Sequence, residues 1–114
     1  MIPGETFSKL RDYLIEITTK NHDSMHYFRR RWNETKLGES EEWGFSYWYF
    51  EVAPDGTVTR QMEVYDNGTI LRYHAHHIED QYGSLAEKPI DHREFHPYSI
   101  SRSEFEESWA SQTI

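Results

Sequence analysis

The chain of 114 residues contains no cysteine, so it has neither a disulfide framework nor a zinc site built from thiolates. No stretch approaches the run of about 18 apolar residues that a membrane-spanning helix requires. The first residues, MIPGETFSKL, lack the apolar core of a secretory signal peptide. We therefore expect a soluble, cytoplasmic protein made of one domain.

The sequence also lacks the motifs of the common enzyme mechanisms. Its six glycines are isolated from one another, so no glycine-rich phosphate-binding loop is present. No combination of Ser, His and Asp has a recognisable spacing, and no H-E-x-x-H pattern occurs. We predict a protein that is not an enzyme and that binds no cofactor.

Acidic and aromatic residues are abundant. Twenty acidic against twelve basic residues give a net charge of −8, which repels nucleic acid and favours a basic protein as partner. The aromatic fraction of 16% exceeds what a small core needs, so we expect some aromatic side chains at the surface or at an interface. These two features indicate an acidic binding protein.

The middle of the chain has the pattern of three antiparallel strands joined by tight turns. The first turn, A-P-D-G-T at residues 53–57, suits a three-residue loop with proline at its second position and glycine in the left-handed region. This loop predicts that Val52 pairs with Val58 and that Trp48 pairs with Met62. The predicted sheet is therefore a meander within residues 45–77.

The second turn contains Asn67-Gly68, a dipeptide typical of a two-residue type I′ turn. It predicts that Glu63 pairs with Arg72, and it sorts the strands onto the same two faces as the first turn. The predicted apolar face carries Trp48, Phe50, Val52, Met62, Val64, Leu71, Tyr73 and Ala75. The predicted mixed face carries Tyr47, Tyr49, Glu51, Thr59, Gln61, Glu63, Tyr65, Arg72 and His74.

Helical patterns flank the meander. Residues 5–20 place apolar side chains at helical spacing, and Ser101 with Glu104 forms a capping box before a second helix. We predict an α+β fold in which a four-stranded antiparallel sheet carries one helix at each end of the chain. The C-terminal helix is expected to pack on the apolar face. The single domain of residues 1–114 divides into an N-terminal helical extension at 1–24, a sheet at 25–77, an irregular segment at 78–98 and a helix at 99–111.

Several motifs within residues 26–109 resemble a family of small bacterial domains of unknown function, whose members share an I-S-x-x-E-F-E-x-x-W ending. The motifs here are HYFRRRW, YWYFEVAPDG, RQMEVYDNG, SLAEKPI and ISRSEFEESW. In size, charge and character the chain also resembles bacterial immunity proteins, which neutralise toxins. This second resemblance implies a partner that is a basic toxin, such as a nuclease, whose active site the protein would occlude.

The residues expected to meet such a partner combine acidic side chains of the 33–44 loop with the mixed sheet face. They are Glu39, Glu41, Glu42, Tyr47, Tyr49, Glu51, Glu63, Tyr65, Arg72 and His74.

Other interpretations stay open at this point. His74 and His76, two apart on one strand, could bind a metal with Glu51 or Glu63 in a small metal-binding or enzymatic domain. An open mixed face could instead serve a self-assembling ligand-binding module, and the sequence does not decide between monomer and dimer. The N-terminal helix could also cover the mixed face, and whether it does decides if that face is available for binding.

Overall fold

A computed structural model describes the backbone of residues 4–36 and 38–111, and the side chains of residues 7–36 and 41–111. The helices are α1 (Gly4–Lys20), α2 (His92–Phe95) and α3 (Arg102–Ala110), with short 3-10 helices at His22–Ser24, Gly38–Trp43 and His96–Tyr98. The strands of the main sheet are β1 (His26–Trp32), β2 (Ser46–Val52), β3 (Val58–Tyr65) and β4 (Ile70–Tyr73). A small hairpin, β5 (Glu79–Asp80) with β6 (Gly83–Ser84), follows.

The predicted fold class is confirmed. The main sheet has the order β1-β2-β3-β4 with every neighbouring pair antiparallel, and helices lie at both ends of the chain. The Ser101 side chain accepts a hydrogen bond from the Glu104 amide (3.0 Å), so the predicted N-cap of α3 is also confirmed. Among the described residues, no helix combines the length and the apolar character that crossing a bilayer demands.

The first predicted turn is correct, but the register beyond it is wrong by one residue. Val52 pairs with Val58, as expected, whereas Trp48 pairs with Glu63 and not with Met62. The cause is a β-bulge beside Glu51, where Thr59 is the extra residue on β3. The extra residue shifts the rest of β3 by one position relative to β2.

The second predicted turn is wrong in type, which shifts the β3–β4 register as well. The Tyr65 amide bonds the Thr69 carbonyl (2.9 Å), so the loop has three residues and only Gly68 takes a positive φ, of 93°. The Asn67 side chain accepts from the Thr69 amide (2.9 Å), which stabilises Asn67 at negative φ and disfavours the type I′ turn. Glu63 therefore pairs with Leu71 and not with Arg72.

Because of these two shifts, residues that were predicted to share one face of the sheet lie on opposite faces. One face, called the α1 face here, carries Phe28, Phe50, Gln61, Glu63, Tyr65, Leu71 and Tyr73. Leu14 of α1 packs in the same core, together with Ile78, Leu85 and Phe95 from the chain after β4. Gln61 and Glu63, predicted for the mixed face, thus lie under a layer of chain. The segment 78–98 supplies that layer. It was expected to be irregular, but it contains β5, β6 and α2.

The other face, called the α3 face, carries Tyr27, Tyr49, Met62, Val64 and Arg72 and packs against α3. Phe105 of α3 is fully buried there, and its ring lies 5.0 Å from that of Tyr27. The prediction that α3 packs on the face of Met62 and Val64 is confirmed. Its extension to Trp48, Phe50 and Leu71 is wrong, because these residues belong to the α1 face. Each face of the sheet is therefore covered in part by one of the two long helices.

Candidate partner-binding surface

Part of the predicted binding set lies inside the protein. The side chains of Tyr49, Glu51, Glu63 and Tyr65 are buried, with exposed fractions of 5%, 3%, 1% and 3%. All four belong to the predicted mixed face. In the folded chain they are instead members of two internal hydrogen-bond networks or of the core.

The first network surrounds Glu63, on the α1 face. Its carboxylate accepts hydrogen bonds from the Tyr65 hydroxyl (2.5 Å) and the Gln61 amide (2.9 Å), and the Lys36 ammonium lies 3.8 Å away. Burial and then the hydrogen bond to Glu63 raise the pKa of Tyr65 well above its ordinary value of 10.0. Gln61 in turn accepts from the Ala86 amide (2.9 Å), so this network attaches the chain after β4 to the sheet.

The second network surrounds Glu51, at the bulge. Its carboxylate accepts from Arg60 at two nitrogens (3.0 and 2.6 Å), from the Thr59 hydroxyl (2.8 Å) and from the Tyr27 hydroxyl (3.1 Å). Burial alone would raise the pKa of Glu51, but the hydrogen bonds and charge of Arg60, with those of Thr59 and Tyr27, outweigh it and lower the pKa. The carboxylate accepts four hydrogen bonds from three side chains, so its lone pairs are engaged in structural contacts.

A cleft of about 360 Å³ lies over this second network, between α1 and α3. Arg60, Arg102, Glu106 and His74 contribute to its lining. Arg60 forms ion pairs with both Glu51 and Glu106. Burial lowers the pKa of His74, and the neighbouring His77 lowers it further. The charged side chains that line this cleft, Arg60, Arg102, Glu51 and Glu106, are therefore engaged in structural contacts.

The proposed histidine metal site is not assembled. β4 ends at Tyr73, and the chain then turns so that His74 bridges to His77, which takes His76 off the strand. The His74 and His76 rings are 6.3 Å apart, and the His74 ring Nδ1 accepts from the His76 amide (3.3 Å). Within the described ranges, no group of three or more His, Asp or Glu side chains is placed to hold a metal ion.

Tyr47 and Arg72 lie at the edges of α3. Tyr47 is half-buried, with the guanidinium of Arg29 over its ring at 4.3 Å and that of Arg31 at 4.9 Å. Arg72 donates to the Trp109 carbonyl (3.0 Å), which secures the end of α3. Both residues therefore have structural contacts on the α3 face of the sheet.

The predicted acidic loop does reach the surface. Glu41 and Glu42 are exposed in the 3-10 helix Gly38–Trp43, and neither takes part in an ion pair among the described residues. Glu39 is also a predicted binding residue, but its side chain lies outside the part of the chain whose side chains are described. Trp43, which follows directly, contacts the ring of Tyr65 (5.2 Å) and the ring of Tyr82 (5.1 Å).

Two further aromatic side chains are exposed beside these acids. Phe45 is 41% exposed, and Tyr82, at the turn of the β5–β6 hairpin, is 39% exposed. We call the surface formed by Glu41, Glu42, Phe45 and Tyr82 the acidic–aromatic end. Tyr82 was not predicted, and the only signal for it was an aromatic residue next to glycine in a turn sequence, Q-Y-G.

The β3–β4 turn holds the backbone of Trp43 and Phe45, next to the exposed acids. The Asp66 amide bonds the Phe45 carbonyl (2.9 Å), the Phe45 amide bonds the Asp66 carboxylate (2.9 Å), and the Asn67 amide bonds the Trp43 carbonyl (3.1 Å). Arg31 adds a two-point ion pair to Asp66, at 3.1 and 3.3 Å. The backbone at Trp43 and Phe45 is therefore held in place without a partner, which lowers the entropy that this part of the surface would lose on binding.

Comparison of the chain with protein-family models, with curated proteins and with solved structures gives no match.

Proposed function

We propose that the protein is a non-enzymatic binding protein that recognises a basic protein through its acidic–aromatic end. The observation that carries this proposal is that exposed carboxylates lie close to exposed aromatic rings. Glu41 and Glu42, which form no ion pair among the described residues, shortly precede Phe45 in the chain, and Tyr82 is joined to this loop by its contact with Trp43. Aromatic residues supply contact area with little loss of side-chain entropy. Unpaired carboxylates attract and orient a basic partner, and the net charge of −8 acts in the same direction.

The partner class we propose is a basic bacterial toxin such as a nuclease, so that the protein acts in the cytoplasm as an immunity protein. A nuclease must present cationic groups around its active site, because its substrate is a polyanion. Glu41 and Glu42 would pair with those groups while Phe45 and Tyr82 pack against the rim. Binding at that place would occlude the active site without any chemical step.

The test is coexpression with the product of the gene immediately upstream, followed by co-purification and a growth assay. We expect a complex and rescue of growth with the natural chain, and loss of both with the double variant Glu41→Lys/Glu42→Lys. The matched control is Glu107→Lys, which changes an exposed carboxylate of α3. We expect the control to bind as the natural chain does, because it lies outside the acidic–aromatic end.

Two outcomes would refute the proposal. One is the absence of both complex and rescue with the natural chain. The other is equal loss of binding in the double variant and in the Glu107→Lys control, which would mean that net charge and not this surface is recognised.

A further inference from the structure

A second recessed site lies between α1 and the chain that follows β4. It is a cavity of about 290 Å³ whose floor includes the apolar side chains of Leu14, Val58 and Leu85. These three residues are buried, with exposed fractions of 2%, 2% and 5%, so the floor is a fixed part of the core. The Leu85 amide bonds the Ile78 carbonyl (2.8 Å), which holds the outer wall in place. An apolar recess of this kind excludes water and accepts an apolar group.

The mouth of this cavity differs in character from its floor. Glu79 and Glu87 line it, and neither forms an ion pair among the described residues. Tyr13 of α1 lines it as well and is 46% exposed. No Lys or Arg within the described part of the chain contributes to the lining. The mouth therefore presents negative charge and an aromatic ring, without a cation of its own.

We propose that this cavity receives a Lys or Arg side chain of the basic partner, with its apolar stem in the recess and its cation at the mouth. Lysine and arginine combine an apolar stem of three or four methylenes with a charged head, which matches the order of surfaces from floor to mouth. The cation would reach the carboxylates of Glu79 and Glu87 and the face of the Tyr13 ring. This inference rests on the proposed function, since it names the group of the basic partner that is recognised.

One element, the β5–β6 hairpin, takes part in both the cavity and the acidic–aromatic end. The β5–β6 hairpin contributes Glu79 and Ser84 to the cavity, and its turn residue Tyr82 contacts Trp43. A partner bound at the acidic–aromatic end would therefore lie beside the mouth. The two sites together would form one interface, with the cavity as its anchor pocket.

The test uses small probes and the intact chain, so it does not depend on finding the partner. The probes are N-acetyl-lysine methylamide, N-acetyl-norleucine methylamide, which has a similar stem without the ammonium, and N-acetyl-glutamate methylamide. Amide chemical shifts of the protein are followed by NMR during titration. We expect saturable shifts at Leu85 and Ala86 with the lysine probe, weaker binding of the norleucine probe and no shifts with the glutamate probe.

A variant without the two carboxylates tests how much the charge at the mouth of the cavity contributes to binding. Glu79→Gln/Glu87→Gln should weaken binding of the lysine probe about fivefold, because the carboxylates of the half-buried Glu79 and the exposed Glu87 are both accessible to solvent and each contributes little by itself. The matched control, Glu34→Gln, changes an exposed carboxylate that is not part of the lining. Its affinity for the lysine probe should be unchanged. Chemical-shift maps without probe verify that both variants are folded.

The inference is overturned if the lysine and norleucine probes bind equally, if neither shifts Leu85 and Ala86, or if the double glutamine variant binds the lysine probe as well as the natural chain does. Its failure is distinguishable from failure of the proposed function. If the lysine probe does not bind in the cavity but the protein binds the upstream gene product through Glu41 and Glu42, the proposed function stands and the lysine-binding cavity is refuted. If the lysine probe binds as expected but the upstream gene product does not, the proposed function is refuted and the lysine-binding cavity stands.

Discussion

The buried ion pair at the bulge makes a quantitative prediction for Glu51→Gln. Glutamine has nearly the same shape, but it replaces a carboxylate oxygen by an amide NH₂ that faces the donors of Arg60, Thr59 and Tyr27. Removing one member of a buried pair costs about 3–5 kcal/mol. Arg60 keeps Glu106 as a partner and glutamine keeps one acceptor, so we expect the lower end, about 3 kcal/mol.

The assay is urea and thermal unfolding followed by circular dichroism. For a chain of this length about 1 kcal/mol corresponds to about 4 °C, so the Tm should fall by about 12 °C. The control is Glu106→Gln, which removes the exposed partner of the same Arg60 guanidinium. The Glu106 side chain is 49% exposed, so this variant should lose less than about 1 kcal/mol.

The pH dependence of the same variant gives an independent check. Because the pKa of Glu51 is lowered in the folded protein, its contribution is complete above the ordinary value of 4.5 and is lost as the pH falls through the folded pKa. The stability difference between natural chain and Glu51→Gln should therefore narrow in acid. The reasoning is refuted if Glu51→Gln and Glu106→Gln destabilise equally at neutral pH.

Two further predictions concern the turns and the buried phenols. Gly56→Ala should cost about 3 kcal/mol in urea unfolding and Gly68→Ala only about 1 kcal/mol. Both have positive φ, but an added Cβ at Gly56 would lie 2.6 Å from the Ile90 carbonyl oxygen, whereas nothing lies within 4 Å at Gly68; equal costs would contradict this. Burial and then hydrogen bonds to carboxylates raise the pKa values of Tyr65 and Tyr73, so folding stability should fall as the pH rises above 10.0. Ultraviolet titration should show both phenols ionising only on unfolding, and ionisation of every tyrosine in the folded protein would contradict it.

The strands, their order and the caps follow from local sequence patterns. Ser101 and Glu104 identify the start of α3, and the A-P-D-G-T turn places Val52 opposite Val58. Both features depend on a few adjacent residues, whose backbone preferences are strong. That is why they could be predicted from sequence without knowledge of the tertiary contacts.

The faces of the sheet could not be predicted, because each depends on a shift of a single residue. The sequence D-N-G is compatible with a two-residue and with a three-residue turn, and the hydrogen bond of the Asn67 side chain favours the second. The bulge at Thr59 has a tertiary cause. In a regular strand Thr59 and Arg60 would point to opposite faces, whereas the bulge lets both bond the single carboxylate of Glu51.

The same shifts explain the division of the predicted binding set. Glu51 and Glu63 share the mixed face in the predicted register. In the observed register Glu51 lies at the bulge and Glu63 on the α1 face, and both are buried. Glu41 and Glu42, in contrast, lie in a loop whose exposure does not depend on strand register. Tyr82 joins them only because the β5–β6 hairpin folds against Trp43, a long-range contact that no local pattern encodes.

The most direct test of the proposed interface is amide hydrogen exchange of the chain, measured free and in complex with the product of the upstream gene. Our account predicts slowed exchange in the complex at residues 41–45 and 79–87, which carry the acidic–aromatic end and the cavity. Residues of α3 and of the cleft between α1 and α3 should exchange at the same rate in both states. Protection confined to α3 or to that cleft, with residues 41–45 unchanged, would contradict the account.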